Sequence, residues 1–285
     1  MLTSKGEKNM NVHLQRDIWR FIDQSVTNQQ RSPLESFATD DTLCEAVGAG
    51  ESPWTIRTWV HDASVVLGIQ DHRLPHIQDA MVYLQQNGYT PIVRNSGGLA
   101  VVLDSGILNI SLIMAEEDTR VSIDDGYEAM VELIRLLFPE AATRIQAYEI
   151  VGSYCPGSYD LSIDGKKFAG ISQRRMRQGI AVQIYLCIEG SGSERAALIR
   201  DFYTEGLQGE DTKFTYPVVT PHVMASLSEL LQLELTVTDV MHRLQHVMSE
   251  LAKEVRYMPF TAAESKRYMH YLTRIFERND KMLNI

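Results

Sequence analysis

Asp164 and Gly165 stand between the runs "YDLSI" and "KKFAGIS". A two-residue hairpin turn requires positive φ at both central positions, which Asp-Gly accepts, so the two runs are expected to pair as an antiparallel hairpin. Just downstream, "IAVQIYLCI" is apolar almost throughout, the pattern of a strand covered on both faces. A hairpin beside a buried strand commits the chain to a sheet with a covered interior. Other segments must supply its neighbours and its cover.

The neighbours are "TIRTWVH", "SVVLGIQ", "TPIVRNSGG", "LAVVLDSG" and "ILNISLI", all rich in β-branched residues. Helices are expected from Pro75 to about Gln86, where Asn87-Gly88 ends the run, and from Asp124 and Asp125 to Pro139. Further helices start at Ser193, at Thr220-Pro221, and in "TVTDVMHRLQHVMSELAKEV", where Val237, Val240, Met241, Leu244, Met248, Leu251 and Val255 keep helical spacing. Thr261 and Glu264 have the spacing of a capping box before a final helix. Near the start, the first 35 or so residues read as a polar lead with a helix-like apolar patch around Trp19, Phe21 and Ile22. A short helix in "ATDDTLCEAVGAG" follows, capped by Asp40 or Asp41. Strands and helices do not alternate as regular βαβ units, so the expected class is α+β, a mixed β-sheet with flanking helices.

Composition narrows the partners. A net charge of -10 over 285 residues disfavours non-specific nucleic-acid or anionic-membrane binding, which rewards positive charge. No run approaches the roughly 18 apolar residues of a membrane span, and the first residues lack a signal-peptide core, so a soluble cytoplasmic protein is expected. Three cysteines, at 44, 155 and 187, form neither a disulfide framework nor the close pairs of a zinc site. His242 and His246 have the spacing of a zinc peptidase helix, but "RLQ" between them lacks the glutamate, and neither metal nor cofactor is expected. "SQRRMRQG" at 172–179 is the densest basic patch.

Two stretches could carry chemistry. In "GSYCPGSYD", Cys155 stands in a Gly- and Pro-bounded loop outside any periodic apolar run, whereas Cys44 and Cys187 fall on apolar segments and read as packed thiols. A nucleophilic thiol must become a thiolate, which a nearby cation favours, and Lys166 and Lys167 lie on the return strand of the hairpin. Adjacent strand residues point to opposite faces, so one lysine alone shares the thiol's side. These residues leave Cys155 open between nucleophile and idle loop thiol. The second stretch is "RNSGGLAVVLDSGILNIS", where Gly97 and Gly98 offer bare backbone to a ligand and Arg94, Asp104 and Asn109 are candidate polar anchors.

Together, and in this order, "RNSGGLAVVLDSGILNIS" and "YDLSIDGKKFAGISQRR" resemble the arginine-glycine-glycine strand and the lysine-bearing hairpin of the biotin and lipoate protein ligase and transferase family. The resemblance implies the class II synthetase-like catalytic domain over residues 40–250, with a lead segment at 1–39 and a C-terminal helical extension at 251–285. It implies an acyl-binding set of Arg94, Ser96, Gly97, Gly98, Asp104, Asn109, Tyr159, Asp160 and Gly170. Lys167 would be the essential lysine, lowering the thiol pKa and stabilising an oxyanion, with Lys166 facing outward. The family's ligases carry a second arginine and a His-Asp pair where this chain has Asn95 and Leu103-Asp104, which speaks against ATP-dependent ligation. A cysteine ahead of the hairpin is similar to the family's amidotransferase branch. That likeness implies octanoyl transfer through a Cys155 thioester, from the glycine cleavage H protein to lipoyl domains of 2-oxoacid dehydrogenase subunits, without ATP; the oligomeric state is left open, with a monomer favoured. Transfer from acyl carrier protein to the H protein, a non-catalytic acyl-carrier-binding scaffold and an acyl thioesterase stay open beside it.

Overall fold

A computed structural model describes residues 11–116 and 121–283. In chain order the elements are β1 (Arg16–Gln24), α1 (Pro33–Gly48), β2 (Thr55–Trp59), β3 (Ser64–Leu67), α2 (Ile77–Gln86), β4 (Thr90–Val93), β5 (Val101–Leu103), β6 (Ile107–Ala115) and α3 (Ile123–Leu137). They continue with β7 (Gln146–Ala147), β8 (Leu161–Ile163), β9 (Lys166–Met176), β10 (Gly179–Cys187), α4 (Gly192–Leu207), α5 (Leu227–Leu231), α6 (Val237–Leu251), β11 (Ala252–Tyr257) and α7 (Ala262–Leu283).

The main sheet has eight strands in the order β11-β1-β2-β6-β10-β9-β8-β7, and a second sheet runs β4-β3-β5. Both mix parallel and antiparallel pairs, as expected of an α+β fold. The hairpin forms where "DG" places it, with φ of 52° at Asp164 and 75° at Gly165. β10 is buried along its whole length, paired with β6 on one side and β9 on the other. α3 and α6 cover one part of the sheet and share its core with Leu108, Ile110, Leu112, Val182 and Ile184. A second core joins the small sheet to α2, α4 and α7. No helix among the described residues is long and apolar enough to cross a membrane.

Three expectations are corrected. Trp19 and Phe21 belong to strand β1, parallel to both β2 and β11, and not to a helix. α1 begins at Pro33 under a Ser32 cap, so Asp40 and Asp41 lie buried in mid-helix rather than capping it. The run expected to stay helical to Val255 ends at Leu251 and continues as β11. Residues before 40 and after 250 therefore supply two strands of the main sheet and the helix packed on α1.

Candidate active site

Cys155 lies half-buried on the loop between β7 and β8 with φ of 44°, a left-handed conformation costing a residue with a Cβ about 1–2 kcal/mol. Lys167 holds it there. Strand alternation exposes Lys166 and buries Lys167 completely. The Lys167 ammonium donates to the carbonyls of Tyr154 and Cys155 (both 2.9 Å) and to Ser153 Oγ (3.3 Å), and it pairs with Asp160 Oδ1 at 2.9 Å. Three N–H groups serving four acceptors leave no donor idle. Asp160 also accepts from the N–H of Ile150 and the hydroxyl of Ser153; burial pushes its pKa up although Lys167 opposes this. Lys167 thus reaches Cys155 through the loop's backbone, at the Cys155 carbonyl.

The sulfur faces the loop between β4 and β5. The Leu99 N–H donates to Sγ at 3.2 Å, and Nη2 of Arg94 donates to it at 3.5 Å and to the Leu99 carbonyl at 2.5 Å. Gly98 makes this approach possible: with φ of 98°, a Cβ there would lie 2.2 Å from Arg94 Nη2 and 3.2 Å from the sulfur. A guanidinium and an N–H aimed at sulfur are the donors that a thiolate, or an oxyanion formed beside it, accepts. Cys44 and Cys187 are buried, and burial pushes both thiols up to about 12.

Between the two loops opens a cavity of about 280 Å³. Of the residues singled out from sequence, Arg94, Ser96, Gly97, Gly98, Asn109, Cys155, Asp160 and Gly170 line it. Trp59, Asn109, Tyr185 and Gly170 are register partners across β2, β6, β10 and β9, so the lining crosses three inter-strand steps, about 14 Å. Phe37 from α1, with Val66, Val101 and Leu103, makes much of the wall apolar.

Two expected anchors lie elsewhere. Asp104 is outside the lining, held by two hydrogen bonds of 2.7 Å from Arg195. Tyr159 stacks on Tyr127 at 4.4 Å and bonds Asp124, so Tyr127 and not Tyr159 meets the cavity. The basic patch is neutralised within the chain: Arg174 pairs with Asp41, Arg175 with Glu116 and Arg177 with Glu45. Sequence reasoning missed the Leu99 N–H, which no side chain signals. It also missed the buried Asp71 behind it, whose one local cue is a carboxylate directly after the strand "SVVLGIQ".

Residues 32–249 match the model of the lipoyl protein ligase A/B catalytic domain. The octanoyl-[GcvH]:protein N-octanoyltransferase of Lysinibacillus sphaericus is 68% identical over 270 residues, 95% of this chain and 97% of that one. The lipoyl-[GcvH]:protein N-lipoyltransferase of Listeria monocytogenes is 49% identical, covering 96% of this chain and 98% of its own. Among solved structures, lipoate-protein ligase A bound with ATP superposes with a TM-score of 0.66 at 17% identity over 90% of this chain and 94% of that one, a likeness of fold. The cavity is built from the arginine-glycine-glycine loop and the lysine hairpin, and on this match the chain belongs to the lipoyl protein ligase A/B catalytic domain family.

Proposed function

We propose that the chain transfers octanoyl between protein lysines through a thioester on Cys155, taking it from the H protein of glycine cleavage and giving it to lipoyl domains of 2-oxoacid dehydrogenases. The observation that carries this reading is the half-buried Cys155 sulfur at the cavity, faced by the Leu99 N–H and the Arg94 guanidinium. The cavity suits the cargo: an extended eight-carbon chain is roughly 9 Å long at bond lengths near 1.5 Å, shorter than the row of lining strands. In the first step Sγ attacks the amide carbonyl carbon, the C–N bond breaks, and the donor lysine leaves as an amine with the proton given up by the thiol. In the second step the neutral amine of the acceptor lysine attacks the thioester, the C–S bond breaks, and the proton lost by the attacking nitrogen passes to the departing sulfur, which restores the thiol of the starting state. Charge on the carbonyl oxygen develops beside the donors that face the sulfur.

One amide replaces another, so no ATP is consumed. Asp104, at the place of a ligase's His-Asp pair, is committed to Arg195, which supports the same conclusion. The test is intact mass after mixing with octanoylated H protein. A hydroxylamine-sensitive octanoyl adduct is expected on the wild type and none on Cys155→Ala, which should also transfer nothing to a lipoyl domain; transfer by Cys155→Ala would refute the thioester. Supplying octanoyl and lipoyl H protein together decides which acyl group is preferred, a choice raised by the name of the Listeria relative.

A further inference from the structure

Asp71 lies in the turn after β3, fully buried and outside the cavity's lining. Its Oδ2 accepts the N–H of Gly68 at 2.7 Å, and its Oδ1 accepts the hydroxyl of Tyr203, on α4, at 2.9 Å. The same Tyr203 hydroxyl oxygen receives the N–H of Ala100 at 3.4 Å. Ala100 directly follows Leu99, whose N–H meets the Cys155 sulfur. The Gly68 turn is also packed on this loop: a Cβ on Gly68 would fall 1.9 Å from the Gly98 carbonyl oxygen, and the Arg94 N–H bonds the carbonyl of Leu67. One buried carboxylate therefore ties together the turn behind the glycine loop and the residue that ends it.

We propose that Asp71 and Tyr203 are positioning residues for the nucleophile, fixing the backbone from Gly98 to Ala100 so that the Leu99 N–H points at Cys155 Sγ. The proposal rests on the reading of Cys155 as nucleophile. A loop with two adjacent glycines has more backbone freedom than any other pair would give it, and an N–H can stabilise charge on sulfur only while its direction is held. Desolvating a carboxylate is costly, and Asp71 recovers part of that cost through the Gly68 N–H, on the turn packed against this loop, and the Tyr203 hydroxyl that receives the Ala100 N–H. Neither residue touches the cavity, so both act through Leu99.

The experiment measures the rate at which iodoacetamide alkylates Cys155 in the full chain, by intact mass, as a function of pH. Tyr203→Phe keeps the ring and removes the hydroxyl that joins Asp71 to Ala100. Its alkylation rate at neutral pH should fall about tenfold and its rate-pH curve should move to higher pH; curves that superimpose on the wild type overturn the proposal. If Tyr203→Phe does not fold, Asp71→Asn tests the same link by amide hydrogen exchange. There the Leu99 and Ala100 amides should exchange at least tenfold faster than in the wild type, and unchanged protection overturns the proposal. Slowed alkylation beside a wild type that takes no octanoyl from the H protein leaves the assignment standing and removes the acyl-transfer reading. Octanoyl uptake with unchanged alkylation does the reverse.

Discussion

A methyl group on Gly98 would stand 2.2 Å from Nη2 of Arg94, on a backbone whose φ of 98° side chains rarely adopt. A methyl group on Gly97, one residue earlier, would meet no atom within 4 Å. Gly98→Ala is therefore expected to lower octanoyl transfer at least tenfold and to destabilise the fold by on the order of 1–3 kcal/mol. Gly97→Ala should change stability by less than about 0.5 kcal/mol. Urea unfolding of the two variants decides, and equal losses would refute the distinction. The sequence marks these glycines only as a pair, because φ depends on what the next loop presents. Cys155 shows the same division. Its departure from any periodic run is legible, while its partners are set by distant segments: Arg94 and Leu99 at the sulfur, Lys167 at the carbonyl. Asp71 left little trace because a lone aspartate after a strand is ordinary turn chemistry, and burial alone makes it unusual.

Strand β1 shows how an element escapes pattern reading. In "RDIWRFIDQ", Arg20 is as buried as its neighbours Trp19 and Phe21, because it pairs with Glu264 at 2.5 Å and bonds the carbonyls of Met258 and Pro259. Alternation reads arginine as outward, so the period of two is hidden by a partner some 240 residues away. α1 misleads in a similar way, since Asp is a favoured N-cap. Asp40 is instead bound in mid-helix by Arg57, Ser111 and Gln183, and Asp41 by Arg174 and Asn95. By contrast, the β8–β9 hairpin, the buried β10 strand and the Thr261–Glu264 capping box are local signals and form as read. Because β1 joins β11 to β2, a chain starting at residue 31, which keeps α1 whole, should lose its cooperative unfolding transition. A wild-type-like urea midpoint for that truncation would show that β1 is dispensable.

Strand order in the sheet does not follow order in the chain, and β3, β4 and β5 leave the main sheet for a second one. Local patterns carry no instruction for either choice, so architecture was legible through family resemblance and not through periodicity. Stability against pH is likewise a property of the whole molecule, because it sums groups on separate elements. His61 is buried against Ser36 and the Arg31 carbonyl, and burial pushes it down to about 4 from 6.5. The unfolded chain binds that proton more tightly, so His61's contribution is complete above pH 6.5 and is lost as pH falls toward 4. Burial pushes Asp71 the opposite way, up to about 6 from 3.8. The native state now binds the proton more tightly, so this contribution is complete below pH 3.8 and is lost as pH rises through about 6. Asp41 and Asp160, also raised by burial, act in the same sense as Asp71. Between about pH 4 and 6 the His61 and Asp71 slopes, each about 1.4 kcal/mol per pH unit, oppose one another. Asp71→Asn removes one side of that balance. Its unfolding free energy should fall more steeply than the wild type's as pH drops through this window, by up to about 3 kcal/mol in all, because His61 is then less opposed. Urea unfolding at a series of pH values checks this, and parallel curves for the two proteins would show that Asp71 titrates alike folded and unfolded.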